Sequence, residues 1–341
     1  MDTPRAAEGA GVRQEPALVA QAQTLTVLIS SAGRRVALMN AFRHAAVRLG
    51  VELRVLACDL RPEWSSACQL ADRAFAVPAV SDPCYAATLC DLCEQQGVGL
   101  VIPTIDPELA PLSAARDRFL RRGAVIAISD PEIVLMAGDK LATAAALSRC
   151  GIPTPRSATL AELRSTPGEW SWPVIVKPRA GSAGVGVRLV ARPADLPEAE
   201  PDSLMAQQLL QGDEWTINIF VDNCGTLRAI VPHRRLSVRA GEVEKGVTRR
   251  VAVFDAIAKQ MVGSLRGMRG ALCFQSIMAV DGSVSVFEIN ARFGGGYPLA
   301  DRAGASFARW LIEERCGLES TADNNWQSGM RMLRFDDAVF L

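Results

Sequence analysis

Histidine is nearly missing from this sequence: His44 and His233 are the two among 341 residues. A multi-histidine metal centre is therefore excluded, and no Ser–His–Asp or Cys–His arrangement is evident. Net charge is missing as well, because 37 Lys and Arg face 37 Asp and Glu. Without a global basic field, neither nucleic acid nor an anionic membrane is expected as a partner. The basic pairs Arg34-Arg35, Arg121-Arg122, Arg234-Arg235 and Arg249-Arg250 are scattered and read as solvated faces or helix ends. No stretch suits a bilayer, since the uncharged run 16–33 is too rich in Gln, Thr and Ser. A secretory signal is also unexpected, because Asp2 and Glu8 spoil a basic leader. Nine cysteines, an odd number spread from Cys58 to Cys316, fit a reducing, cytoplasmic setting. Cys90 and Cys93 form a CxxC near Cys84, but no second pair follows, so buried helix thiols are expected rather than a metal site.

What is present is a chain long enough for two or three domains, 49% of it hydrophobic. Residues 1–23 show no sustained period and read as a flexible tail. From 24 to 130, short apolar runs (25–30, 53–58, 73–78, 99–104, 124–129) alternate with helical patterns at 36–46, 84–96 and 108–121. That alternation predicts a parallel α/β sheet covered on both faces, with function at the carboxyl ends of its strands: Ser30–Gly33, Asp59 and Thr104–Asp106. The first turn, Ser-Ser-Ala-Gly-Arg-Arg, has one glycine and reads as a packing turn rather than a dinucleotide fingerprint.

After residue 130 the texture becomes α+β. A smaller subdomain (131–206) holds one or two helices closed by Gly151 and a hairpin around a glycine-rich turn. A larger one (207–341) holds the strand-like runs 214–222, 226–236, 270–280 and 283–293, with 203–210 reading as the first of the same series. A helix near 250–267, another near 302–316 and a final strand-like run, 330–340, complete it.

Several residues bear chemistry. Lys177 ends an apolar strand, where a cation must snorkel or find an anion. Exposed N–H groups of the turn containing Gly181, Ser182, Ala183 and Gly184 would complement a phosphate there. The spacing fits neither GxxxxGK[ST] nor GxGxxG. In "SVFEIN" the period of two sets Glu288 and Asn290 on one face, with Phe287 and Ile289 on the other. Glu288 and Asn290 offer hard oxygen ligands of the kind Mg2+ uses, and Gln275 across the hairpin could add a third. Arg292 follows on the same face, beside three consecutive glycines that imply close backbone approach. A guanidinium there can clamp a phosphoryl group in transfer.

Taken in order, "GDKLATAAALSRCGIPTP", "PVIVKPRAGSAGVGV", "LLQGDEWTINIFV" and "FEINARFGGG" resemble the ATP-grasp superfamily. The closer likeness is to its branch similar to the carbamoyl phosphate synthase large subunit and the pyrrolysine-biosynthesis ligase, and it runs from about residue 25 to the C-terminus. The resemblance implies an ATP-grasp fold behind a parallel α/β N-terminal domain. It also implies roles. Lys140 and Lys177 contact the phosphates of ATP, Lys177 also the purine edge, and the Gly181–Gly184 loop folds over them. Gln208, Leu209 and Leu210 form the adenine hinge, and Glu214 holds the ribose. Gln275, Glu288 and Asn290 hold one or two Mg2+, with Mn2+ as a substitute, and Arg292 steadies the transition state. The sequence departs from the family at Gln207-Gln208, where an acid is common, and at "NAR" in place of "NPR".

The implied reaction is an ADP-forming ligation of a small carboxylate to an amine or similar nucleophile through an acyl phosphate, with a homodimer as one possible assembly. A non-catalytic ATP sensor or scaffold is the alternative, against which the intact set of Lys177, Glu288, Asn290 and Arg292 speaks. A nicotinamide oxidoreductase is disfavoured by the missing fingerprint, and biotin carboxylation by the short chain. The cation-rich segment 232–250, with Gly241 and Gly246 as flexing points, reads as either a solvated loop or a lid. On the lid reading, Arg235 and Lys245 join Arg292 on the carboxylate side of the pocket.

Overall fold

The computed structural model describes residues 23–181, 184–198 and 203–341. The expected tail, apart from Gln23, and Ser182 and Ala183 of the glycine turn lie outside the described residues.

The chain opens with β1 (Thr24–Ile29), α1 (Val36–Leu49), β2 (Glu52–Asp59), α2 (Ser66–Leu70), β3 (Arg73–Ala76) and α3 (Tyr85–Gln96). Then come β4 (Leu100–Ile102), α4 (Asp106–Ala114), α5 (Arg116–Arg121) and β5 (Val125–Ile126). The five strands form one parallel sheet, ordered β3-β2-β1-β4-β5. Its central strands carry buried apolar runs, Val27–Ile29, Val55–Cys58 and Leu100–Ile102, because both faces are covered there. Leu28 and Leu56 face one core, whereas Val27, Ile29, Val55 and Ala57 face a second. Cys90 and Cys93 are buried thiols of α3, as expected. The helix expected over 108–121 is instead two, which meet at Ala115, where the backbone leaves helical values.

The middle of the chain gives α6 (Pro131–Gly138), α7 (Lys140–Arg149), β6 (Ser157–Thr159), α8 (Leu160–Ser165), β7 (Val174–Pro178), β8 (Arg188–Val190) and β9 (Leu204–Gln208). β7 and β8 are the expected hairpin around the glycine turn. The run 203–210 does not start the later series: β9 pairs with β7 and β6 in a four-stranded antiparallel sheet of its own. The chain leaves that sheet at Gly212, whose φ of +142° and approach to the Met278 carbonyl admit no side chain. Seven buried residues, from Leu160 to Ala206, form a separate core beneath this sheet.

The remainder is β10 (Asp213–Val221), β11 (Leu227–Arg239), β12 (Glu242–Thr248), α9 (Ala252–Ser264), β13 (Gly270–Met278), β14 (Val284–Asn290), α10 (Tyr297–Arg302), α11 (Phe307–Cys316) and β15 (Arg331–Leu333). The strands make a six-stranded antiparallel sheet, ordered β14-β13-β10-β11-β12-β15. The helix expected over 302–316 is split at Gly304, where φ is +113°. Segment 232–250 is not a loop. It is mostly the hairpin of β11 and β12, and Gly246 is a ladder residue opposite Arg235 rather than a hinge.

Both large cores draw on the first and third sheets together. Leu28 and Leu56 share one with Phe274 and Val286, and Val27 and Phe42 share the other with Phe220 and Trp310. Among the described residues no helix is long and apolar enough to cross a membrane.

Candidate active site

The three sheets converge on one cavity of about 620 Å3. At one end stands Lys177, whose position on β7 turns it inward. Its Nζ donates to Gln207 Oε1 at 2.8 Å, and Gln207 Nε2 donates to Ser157 Oγ at 2.9 Å. The ammonium also lies 5.7 Å from the Phe287 ring centre. Burial lowers its pKa to about 8, although Glu288 opposes the shift. Lys140 occupies the first turn of α7, whose Asp139 caps it by accepting from Leu141 N at 2.9 Å. Lys140 Nζ donates to the Gly181 carbonyl at 2.6 Å. Gly181 and Gly184, both in the left-handed region at φ +101° and +70°, line the cavity. Gln208, Leu209 and Leu210 line it where the chain passes from β9 to β10.

Toward the other end, Gln275 pairs directly with Glu288 in the β13–β14 ladder, so the two side chains meet. With its amide nitrogen toward the carboxylate, Gln275 donates to Glu288 Oε2 at 2.8 Å and accepts from Arg235 Nη1 at 3.1 Å. Turned the other way, its oxygen faces the carboxylate across the same gap, as two ligands of one cation do. Burial pushes the Glu288 carboxyl up against the pull of Lys140, so a cation would be welcome beside it. Among the described residues no group of three His, Cys, Asp or Glu could hold a metal. One carboxylate and two amides suit instead a hard cation that takes its other ligands from phosphates.

The ladder shifts between Gln275 and Ser276, leaving Phe287 as an extra residue opposite no partner. That bulge brings Phe287 to the cavity, contrary to the strict alternation read from the sequence; Ile289 stays in the core.

Arg292 Nη2 donates to Asp106 Oδ2 at 2.5 Å and to Asn290 Oδ1 at 3.1 Å, and Nη1 donates to the Phe293 carbonyl at 3.0 Å. Its buried Nε has no partner within the described residues. Arg235 is buried and ion-paired to Glu214, and it donates to the Gly241 carbonyl at 2.8 Å. It therefore stands between Glu214 and Gln275, not on a separate carboxylate wall. Lys245 is not brought to the site at all: it is exposed on β12, opposite Leu333. The apparent cation excess of this hairpin is met by distant acids, Arg234 by Asp213 at 2.5 Å and Arg239 by Asp336 at 2.6 Å.

The glycines after Arg292 are needed because side chains crowd them. A Cβ on Gly294 would lie 2.9 Å from Cys273 Sγ, one on Gly295 2.8 Å from Glu242 Oε1, and one on Gly296 2.6 Å from His233 Nε2. Full burial holds His233 neutral, with its pKa lowered to about 3, and Asn218 Nδ2 lies 3.2 Å from its Nδ1.

The strand end Thr104–Asp106 lies at the cavity, as expected, whereas sequence reasoning gave no site role to Arg35, Glu242 or Arg334. Arg35 leaves the turn read as packing alone, donates to the Thr104 carbonyl at 3.1 Å and lines the cavity. Arg334 follows β15, and its Nη1 lies 3.0 Å from Glu242 Oε2.

Comparison with known families matches residues 27–128 to a PylC-like N-terminal domain and residues 137–296 to an ATP-grasp domain. Among solved structures, the biotin carboxylase domain of the Hydrogenobacter thermophilus 2-oxoglutarate carboxylase, in complex with MgADP, ADP and bicarbonate, is similar at TM-score 0.68 and 17% identity. That match covers 88% of this chain and 71% of the other. The N5-carboxyaminoimidazole ribonucleotide synthetase from Thermotoga maritima is similar at TM-score 0.65 and 19% identity, covering 89% and 78%. The N5-carboxyaminoimidazole synthetase from Staphylococcus aureus, complexed with ADP, gives TM-score 0.69 at 16% identity, covering 89% and 80%. Likeness at these identities carries the fold.

Proposed function

Since the chain joins a PylC-like N-terminal domain to an ATP-grasp domain and so belongs to the ATP-grasp family, we propose that it ligates a small carboxylate to an amine at the expense of ATP, through an acyl phosphate, releasing ADP and phosphate. The observation that carries this reading is that one cavity holds all the needed groups, two lysines at one end and an oxygen-rich strand pair with a guanidinium at the other.

On this reading Lys140, Lys177 and the loop from Gly181 to Gly184 grip the phosphates, and Gln208–Leu210 and Phe287 flank the base. Glu214, steadied by Arg235, meets the ribose. Gln275, Glu288 and Asn290 would hold Mg2+, which supplies charge neutralisation on the phosphates when bound. Arg292, fixed by Asp106, is placed to meet charge on the phosphoryl group as it moves to the substrate carboxylate. The carboxylate oxygen forms the new P–O bond as the bond to ADP breaks. The amine then displaces phosphate from the acyl carbon and gives up a proton. Positioning and desolvation are the protein's main contributions.

Glu288→Gln tests this. It keeps shape but removes the one carboxylate of the proposed metal set, so ADP release should fall by about three orders of magnitude. Because burial penalises the ionised Glu288, the ligand-free variant should melt at or above the wild type. Turnover equal to wild type in this variant would show that the carboxylate has no such task.

A further inference from the structure

A second pocket of about 210 Å3 lies at the first βα turn and shares Arg35, Ile105, Glu242 and Gly294 with the main cavity. It is lined by Arg35, Arg334 and Glu242 together with apolar Leu38, Ile105 and Pro298. We propose that Arg35 and Arg334 hold a non-reacting carboxylate of one substrate, so that this ligase takes a molecule bearing an acid group besides the bond-forming one. The inference rests on the ligase reading and narrows its substrate class.

Charge is the first argument. Arg292 is matched by Asp106 at 2.5 Å. Arg35 and Arg334 are left to share Glu242, one acid for two guanidiniums, at 3.8 Å and 3.0 Å. Arg34 lines the same pocket from its exposed rim, so positive charge is in excess in a partly apolar setting and an anionic group is the complement. Free donors are the second argument. At 3.8 Å the Arg35–Glu242 contact is beyond hydrogen-bonding range, so most of the five donors of Arg35 remain for a ligand. Moreover, α1 begins at this pocket with no side-chain cap and no acid in its first turn, which adds positive potential.

Rigidity is the third argument. Ser31 sits at φ +48°, a backbone state that a residue with a side chain seldom adopts. The turn around it is held from three directions. Thr104 Oγ1 donates to the Ser31 carbonyl at 2.7 Å, Ser31 Oγ donates to Glu108 Oε2 at 3.0 Å, and Gly33 N donates to Asp59 Oδ2 at 2.9 Å. A packing turn has no need of such pinning, and a turn that must present a guanidinium in one position does.

Two sources share this chemistry: an amino acid whose amine is the nucleophile, and a dicarboxylic acid activated at its other end. The test is a thermal-shift titration of wild type, with and without MgADP, against the twenty amino acids, the C3 to C6 dicarboxylates, their amides, and inorganic phosphate. At least one free acid should stabilise the protein while its amide does not, and the hit identifies the source. Arg35→Ala and Arg334→Ala should each weaken that acid about tenfold or more, and Arg35→Lys, which keeps charge without the fork, should fall between. No acid binding, phosphate binding alone, or equal binding by wild type and both alanine variants would overturn the proposal. Failure of MgADP to bind wild type would instead count against the ligase reading, since the acids are also titrated alone.

Discussion

Lys177 should make nucleotide affinity fall through a pH range where most proteins are indifferent. Its buried ammonium has a pKa near 8 rather than the ordinary 10.5. If the cation is what grips the phosphates, affinity follows the protonated fraction, which drops about tenfold between pH 7 and pH 9. The second ionisation of a phosphate lies near pH 6, below this window, so the ligand does not supply the slope. The free protein should respond in the opposite direction. Because the folded pKa is depressed, the unfolded chain binds the extra proton between about pH 8 and 10.5, so the contribution of this group to stability rises with pH across that window. Rising stability together with weakening affinity separates this effect from general alkaline damage, which lowers both. Calorimetric titration with ADP and Mg2+ from pH 7 to 9.5, beside Lys177→Met, measures it. The variant should bind weakly with a flat profile. A wild-type affinity constant within twofold over the range, or the same slope in Lys177→Met, would refute the reasoning.

Arg235→Ala should weaken nucleotide binding several-fold by releasing Glu214 and Gln275, with little change in the KM for the acid, whereas Lys245→Ala should match wild type in both; steady-state kinetics with ATP and acid varied separately checks this. Gly296→Ala should cost about 1–3 kcal/mol by driving a methyl against His233 and Val243, read as a lower chemical-denaturation midpoint at unchanged slope.

The parallel sheet, the hairpin of β13 and β14 and the shared face of Glu288 and Asn290 were legible because each rests on local periodicity. Phe287 was misplaced for the same reason, since a period of two assumes an unbroken ladder and one bulge reverses the side. Segment 232–250 looked like a charged loop because its ion pairs are remote: Arg235 finds Glu214 21 residues back, and Arg239 finds Asp336 97 residues on. Arg35 was invisible in its role, since nothing in Ser-Ser-Ala-Gly-Arg-Arg signals that Glu242 and Arg334 will meet it.

The division of the interior into cores has a consequence for how the molecule comes apart. The first and third sheets are stitched together by two common cores, so neither can lose its order without the other, and they should melt as one cooperative unit. The four-stranded sheet rests on seven buried residues that belong to it alone. It is the natural first unit to open, and it carries Lys177 and the glycine turn with it. Sub-global unfolding would thus erase the phosphate grip while leaving Glu288, Arg292 and Arg35 in register, and bound nucleotide, by bridging the two units, would fuse their stabilities into one.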